Sequence, residues 1–214
     1  MASPNDAPAL DGAQLAAWAE ELGAMATLGL LYGRDPYDLD RYRRIQNIAA
    51  AMLGVATAQP ASVVRERLAA DIGYVTVKVG VAAAVFDHEG RQLLVQRQDN
   101  GLWAQPGGWA DVGESPANMT VREVQEETGL TVRVERLVGL YDSRRRQFRH
   151  PHHIYHVVFL CSLIAGTPAV THEIRALEWF APAAPLPPLS PGHQPAIADA
   201  FGAWADPGCP VVFD

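Results

Sequence analysis

The sequence predicts an α+β fold, a mixed sheet flanked by helices, preceded by a small all-α domain. Two observations predict it. From Asp11 to about Gly73 the chain is Ala-rich and its apolar residues recur at three-to-four-residue spacing, the helical period. After Gly73 the texture changes to β-branched runs separated by turn residues, with one helical stretch set among them. The expected organisation is therefore residues 1–72 as a helical domain and residues 73–214 as the sheet-bearing domain.

Within the helical part, Leu15, Trp18, Leu22 and Met25 form one apolar stripe and Ile45, Ile48 and Met52 another. Gly33 closes the first helix, Asp35 caps the second, and Pro36 takes the first helical position, where its missing N–H costs nothing. A third helix follows Pro60 through Val64 and Leu68. In the second part, Tyr74 to Phe86 and Gln92 to Gln96 read as strands joined by a turn at Asp87 to Gly90. Further strands are expected at Thr131 to Tyr141, His153 to Ile164 and Arg175 to Phe180. Pro116 to Thr128 reads as a helix started by Ser115 and Pro116 and stopped by Gly129. Six prolines between Pro182 and Pro195 break regular structure before a short helix around Ala196 to Trp204.

Composition narrows the function classes. A chain of 214 residues with 49 % hydrophobic and 19 % charged residues is that of an ordinary globular protein. Met1 to Leu10 lacks the charged and apolar regions of a signal peptide, and no apolar run approaches the roughly 20 residues that span a bilayer. A soluble protein is expected. The two cysteines, Cys161 and Cys209, lack metal-ligand spacing and read as free thiols in a reducing cytosol. A net charge of -7 argues against broad nucleic-acid binding, which needs clustered Lys and Arg.

The chemistry lies between Gly107 and Leu130. Glu123, Glu126 and Glu127 are three and four positions apart, which on a helix raises their carboxylates from one face. Such a run can be a solvated charged face. A hard-cation site is the better account, because Mg²⁺ or Mn²⁺ prefers carboxylate and water oxygens and its charge removes the repulsion. Gly107 and Gly108 leave the backbone free to approach metal and phosphates. Arg122 reaches Glu126 along the helix or Glu114 across the loop, an orienting role.

Gly108, five residues, Glu114, seven residues, and then Arg122-Glu123-Val124-Gln125-Glu126-Glu127-Thr128-Gly129-Leu130 resembles the Nudix box without departure. Seven fixed identities make a chance match in a chain this long rarer than about one in a million. The resemblance implies the Nudix α/β/α sandwich, a Mg²⁺ or Mn²⁺ cofactor held by Glu123, Glu126 and Glu127, and hydrolysis of a pyrophosphate bond. It further implies an additional ligand from the carbonyl of Gly107 or Gly108. Glu123 and Glu126 are also candidates for catalysis. Other Nudix enzymes bring an acid from outside the box, and Glu173 is placed by that resemblance as general base or extra ligand. Glu178 is the alternative.

Flanking residues resemble a Nudix branch with an extra N-terminal helical domain. They are Trp103 to Val112, Tyr141-Asp142, Arg149-His150-Pro151-His152, Glu173-Ile174 and Trp179-Phe180, with Gly29, Tyr32, Asp35 to Asp38 and Arg41-Tyr42 among the helices. Members act on nucleoside diphosphates joined to another moiety, ADP-ribose or CDP-choline among them. One departure is His193, near where the branch carries an arginine after Leu-Ser.

Arg97, Gly107, Asp142 and His152 are candidate substrate contacts. The histidines His150, His152, His153 and His156 admit a zinc reading, but substrate hydrogen bonding or strand packing accounts for them better. Arg144 to Arg149 reads as a solvated loop or a phosphate clamp, and Trp103, Trp109, Tyr141 and Phe148 as base-stacking or core residues. The expected partners are a small nucleotide substrate and a second copy of the chain, a homodimer through residues 11–72, whose apolar positions exceed what one small packed face requires. An RNA-end or nucleoside triphosphate hydrolase, or a catalytically silent ligand-sensing module, are the alternatives.

Overall fold

The computed structural model describes residues 11–70, 75–145 and 152–214. The chain divides into two compact units, Met1–Val77 and Lys78–Asp214.

The first unit is three helices, α1 (Gly12–Tyr32), α2 (Pro36–Thr57) and α3 (Ala61–Ala70). Asp11 caps α1 by accepting from the Gln14 N–H, and Asp35 caps α2 by accepting from the N–H groups of Tyr37 and Asp38. The packed face is made of small residues. Ala19, Gly23 and Ala26 of α1 are buried, as are Ala49, Ala50 and Leu53 of α2, and Val64 of α3 joins this core. A Cβ at Gly29 would overlap the Tyr42 ring, so the helices pass too close there for any side chain on α1. The expected apolar stripe on α1 therefore faces elsewhere. Trp18 and Met25 are 46 % and 54 % exposed, Tyr32 continues the seven-residue spacing, and Ile48 and Val55 repeat it on α2.

The second unit is an eight-stranded mixed sheet with two helices. Its strands are β1 (Lys78–Phe86), β2 (Gln92–Arg97), β3 (Trp103–Ala104), β4 (Gly107–Trp109), β5 (Leu130–Asp142), β6 (Ile154–Gly166), β7 (Ile174–Phe180) and β8 (Val212–Phe213). The order is β3-β2-β1-β6-β5-β8, with β4 paired to β1 and β7 to β2. β1 runs parallel to β6 and β5 parallel to β8, while the other pairs are antiparallel. Helix α4 (Pro116–Thr128) covers one side and α5 (His193–Ala205) the other. Strand β1 shows why. Ala83 and Val85 pack with Val124 of α4, whereas Ala82, Ala84 and Phe86 pack with Ala196, Ala200 and Ala203 of α5. Alternate side chains of one buried strand thus feed two cores, the condition for a three-layer sandwich.

Sequence expectation and structure differ at some edges. The first strand starts at Lys78 and not Tyr74, and α5 starts at His193, where Gly192 with φ 88 turns the chain into the helix. Strands β3, β4 and β8 hold two or three residues each, too short to show a period. Trp103 packs edge-on against Phe180 as a core residue, with ring centres 5.6 Å apart.

Candidate active site

Helix α4 presents its acids to the β4 segment. Ser115 accepts from the Asn118 N–H, Pro116 sits in the first turn, and Gly129 ends the helix, so its position along the strands is fixed at both ends. The three glutamates take different environments. Glu127 is 6 % exposed and accepts a 2.9 Å hydrogen bond from the Gly107 N–H. The Glu123 side chain, 15 % exposed, lies against Gly108, its Oε2 2.7 Å from where a Cβ on that glycine would stand. The Glu126 side chain is 58 % exposed and turns to Arg122, 2.9 Å away.

Arg122 gathers the outer acids. Its guanidinium bonds Glu114 at 3.0 Å, Asp111 at 2.8 Å and Glu126 at 2.9 Å, with Glu123 at 3.5 Å. Asp111 falls among the variable residues of the box and belongs to the Trp103 to Val112 run that marks the branch. The hydrogen bond that Arg122 donates to Glu114 holds the Arg122 pKa above its ordinary value.

The electrostatics divide the acids. Burial pushes the Glu127 pKa up to about 7 against the pull of the Gly107 N–H, and the Glu123 charge adds to the rise. Burial likewise raises Glu123, partly offset by Arg122. Two desolvated carboxylates side by side on the walls of a cleft are short of positive charge. Among the described residues no three His, Cys, Asp or Glu side chains converge as a closed ligand set. A hard divalent cation does not require one, because Mg²⁺ keeps several waters and takes one or two carboxylates. The Glu123–Glu127 pair beside the Gly107–Gly108 backbone fits that donor chemistry.

These groups line a cleft of about 820 Å³ whose walls include Gly107, Gly108, Trp109, Glu123, Glu126, Glu127, Arg97 and Glu173. That size lies within the range of small-molecule and cofactor sites, roughly 300–1,000 Å³. Arg97 is held by a two-pronged pair with Asp99, at 3.0 Å for each bond, which raises its pKa. Glu173 sits at the start of β7. Its carbonyl accepts from the Gln98 N–H at 2.7 Å, and its exposed carboxylate lies 3.2 Å from His172. Glu178 is exposed on β7 and does not line the cleft.

The other expected contacts fall elsewhere. Asp142 does not line this cleft. It borders a cavity of about 20 Å³ that shares Gln105, His156 and His193 with the cleft, and its Oδ1 lies 2.9 Å from His153 Nε2. His152 packs edge-on against Trp109, with ring centres 6.5 Å apart. Tyr141 is buried and donates to Asp199 at 3.1 Å, and His156 lines both cleft and cavity. Arg146, Phe148, Arg149, His150 and Pro151 lie outside the described residues. Gln105, Ser190 and His193 also line the cleft. Gln105 stands in the Trp103 to Val112 run, two residues before Gly107, a position that by itself marks no role.

Comparison with known proteins agrees with this geometry. The NUDIX domain model matches residues 76–200, and a model described as "UDP-X-like, N-terminal oligomerisation domain" matches residues 13–68. The chain belongs to the Nudix family and is a Nudix hydrolase. A Bacillus subtilis (strain 168) protein named "Putative ADP-ribose pyrophosphatase YjhB" is 33 % identical over 199 residues, covering 92 % of this chain and 95 % of that protein. A crystal structure of a UDP-X diphosphatase superposes with a TM-score of 0.60 at 28 % identity, covering 96 % of this chain and 100 % of the other. An ADP-ribose pyrophosphatase from Streptococcus suis 89-1591 gives 0.58 at 34 % identity, over 65 % of this chain and 100 % of that one. No described helix is long and apolar enough to cross a membrane.

Proposed function

We propose that this chain hydrolyses the pyrophosphate of a nucleoside diphosphate joined to another moiety, such as ADP-ribose or CDP-choline, to a nucleoside monophosphate and a phosphorylated moiety. The observation that carries the reading is the pair of desolvated carboxylates, Glu123 and Glu127, set against the Gly107–Gly108 backbone in a cleft large enough for both halves of such a substrate. The full-length likeness to proteins named for ADP-ribose and UDP-X supports it.

Glu123 and Glu127, with Glu126 and the Gly108 carbonyl, would hold Mg²⁺ or Mn²⁺. When bound, the cation neutralises charge on the phosphate oxygens. Arg122 positions the outer acids, Gly107 lets the pyrophosphate approach the backbone, and Arg97 donates to phosphate or ribose. Water attacks one phosphorus, the bridging P–O bond breaks, and the water's proton passes to a carboxylate, assigned here to Glu173. Both cysteines are free, which suits a reducing cytoplasm.

A panel of CDP-choline, ADP-ribose, NADH, nucleoside triphosphates and 5'-capped RNA, incubated with Mg²⁺ or Mn²⁺ and resolved by product chromatography, tests the substrate class. Turnover confined to triphosphates or capped RNA would defeat it. Glu173→Gln is expected to lower kcat about a hundredfold and to remove the acidic limb of the pH–rate profile. An unchanged profile passes the base role to a box glutamate such as Glu126.

In the same reading the helical unit makes a homodimer. The exposed seven-residue rows, Trp18, Met25 and Tyr32 on α1 and Ile48 and Val55 on α2, offer apolar area that a twofold partner would bury. Light scattering at micromolar concentration should give twice the 23.2 kDa chain mass. Trp18→Glu combined with Ile48→Glu should return it to the single mass. A single mass for the unaltered protein would end the dimer reading.

A further inference from the structure

The cleft is lined by two kinds of group. Glu123, Glu127, Arg97 and Glu173 bring charge. Gln105, Ser190, His156 and His193 bring further hydrogen-bonding groups, and all of these but Ser190 also border the small cavity at the first turn of α5. Burial holds the His193 pKa down to about 3, with His156 and Arg97 adding to the fall, so its imidazole carries no charge.

Two of these side chains are buried without partners. Gln105 is 3 % exposed, and neither its amide oxygen nor its amide nitrogen has a hydrogen-bond partner; the Ser190 hydroxyl, in a residue 8 % exposed, has none either. Both positions are firmly set. Trp103 N donates to Pro188 O at 2.9 Å and Ser190 N to Trp103 O at 2.7 Å, which ties the proline-rich connector alongside the segment that carries Gln105. Buried amides are almost always satisfied, so a pinned and unpartnered amide in the wall of a binding cleft is one left for a ligand. Gln92 is the contrast: its amide is also unpartnered, but it lines neither the cleft nor the cavity.

We propose that Gln105, with Ser190, is the nucleobase-reading element of this site. The inference rests on the nucleoside diphosphate reading and adds where and how the base is recognised. A primary amide offers one donor and one acceptor side by side in a plane, the complement of a base edge, to which glutamine side chains bond in two-pronged fashion. Of the parts of such a substrate, only the base presents that planar neutral edge. The pyrophosphate belongs with the charged groups, and the half-exposed Trp109 indole on the same cleft supplies a stacking face.

The test is steady-state hydrolysis of UDP-, CDP-, ADP- and GDP-glucose by the full-length protein, Gln105→Leu and Gln105→Glu, with thermal melts to confirm folding. The unaltered protein should prefer one base by ~10-fold or more in kcat/KM, and Gln105→Leu should flatten the series, with the loss falling on KM. Gln105→Glu, which replaces a donor by a second acceptor, should move the ranking away from uracil, the base of the four whose edge offers no amino donor. An unaltered protein indifferent to the base overturns the proposal, as does a ranking that survives Gln105→Leu. A Gln105→Leu effect that tracks the linked moiety at constant base, CDP-choline against CDP-glucose, overturns it too. If no diphosphate is hydrolysed, the reaction assignment fails separately, and calorimetric binding of UMP, CMP, AMP and GMP decides base reading: affinities that differ by base and are levelled by Gln105→Leu support it, and equal affinities overturn it.

Discussion

Glu127→Gln and Glu123→Gln should each lower kcat by about a hundredfold or more while leaving the chain folded. Changes to residues that merely orient metal ligands cost about 10–100-fold, and loss of an anionic ligand itself should cost at least that. Glu127→Gln keeps an oxygen where the Gly107 N–H donates, so the local geometry survives and only the charge is lost. Wild-type turnover in either variant would sink the assignment.

The same variant should stabilise the protein in EDTA, and the pH dependence carries a definite sign. The folded-state pKa of Glu127 lies near 7, above its ordinary 4.5, so between those values the folded chain binds more protons than the unfolded one. Stability of the metal-free parent therefore falls as pH rises through that window. Glu127→Gln removes this penalty: a gain of roughly 2–3 kcal/mol is expected at pH 8 and none near pH 4. Thermal melts at the two pH values, with EDTA and then with Mg²⁺, check it. Excess Mg²⁺ should reverse the order at pH 8, because only the parent keeps both acids of the pair.

How much of this was legible in the sequence follows from the range of each interaction. Helix α4 was legible to the residue, because Ser115, Pro116 and Gly129 are local signals that no tertiary contact overrides. The acids of the box were legible as a spacing, but not their differing environments. Glu126 turns outward because Arg122, four residues back, is its near partner, while Glu127 turns inward to a backbone N–H twenty residues away. Which face of α1 packs was not legible for a similar reason. Large side chains at Trp18 and Met25 look like core in one dimension, yet close approach to α2 selects Ala19, Gly23 and Ala26. The burial of Gln105 and Ser190 was not legible, since it depends on the pairing of Trp103 with the connector some 85 residues later.

Gly107→Ala should abolish activity and destabilise the sheet-bearing unit, whereas Gly108→Ala should abolish activity alone. A Cβ at Gly107 would overlap the Val81 carbonyl oxygen and stand 2.8 Å from the Ala82 Cα. Those are backbone atoms of β1, which pairs with β4 through Val81 opposite Gly108 and Ala82 opposite Gly107, so neither can yield without breaking the ladder. The Gly107 φ of 156° adds strain for an L side chain. Together these should cost about 3 kcal/mol or more, a fall in Tm of about 10 °C. At Gly108 the obstructing atoms are the Glu123 carboxyl, the far end of a flexible side chain. It can swing aside at little cost to the fold, but in doing so it leaves the position opposite Glu127 from which the pair would hold a cation. Tm and turnover measured on both variants separate the two cases. Equal loss of stability in both, or activity surviving in Gly108→Ala, would show that the close contact between Glu123 and the glycine backbone does not matter to the reaction.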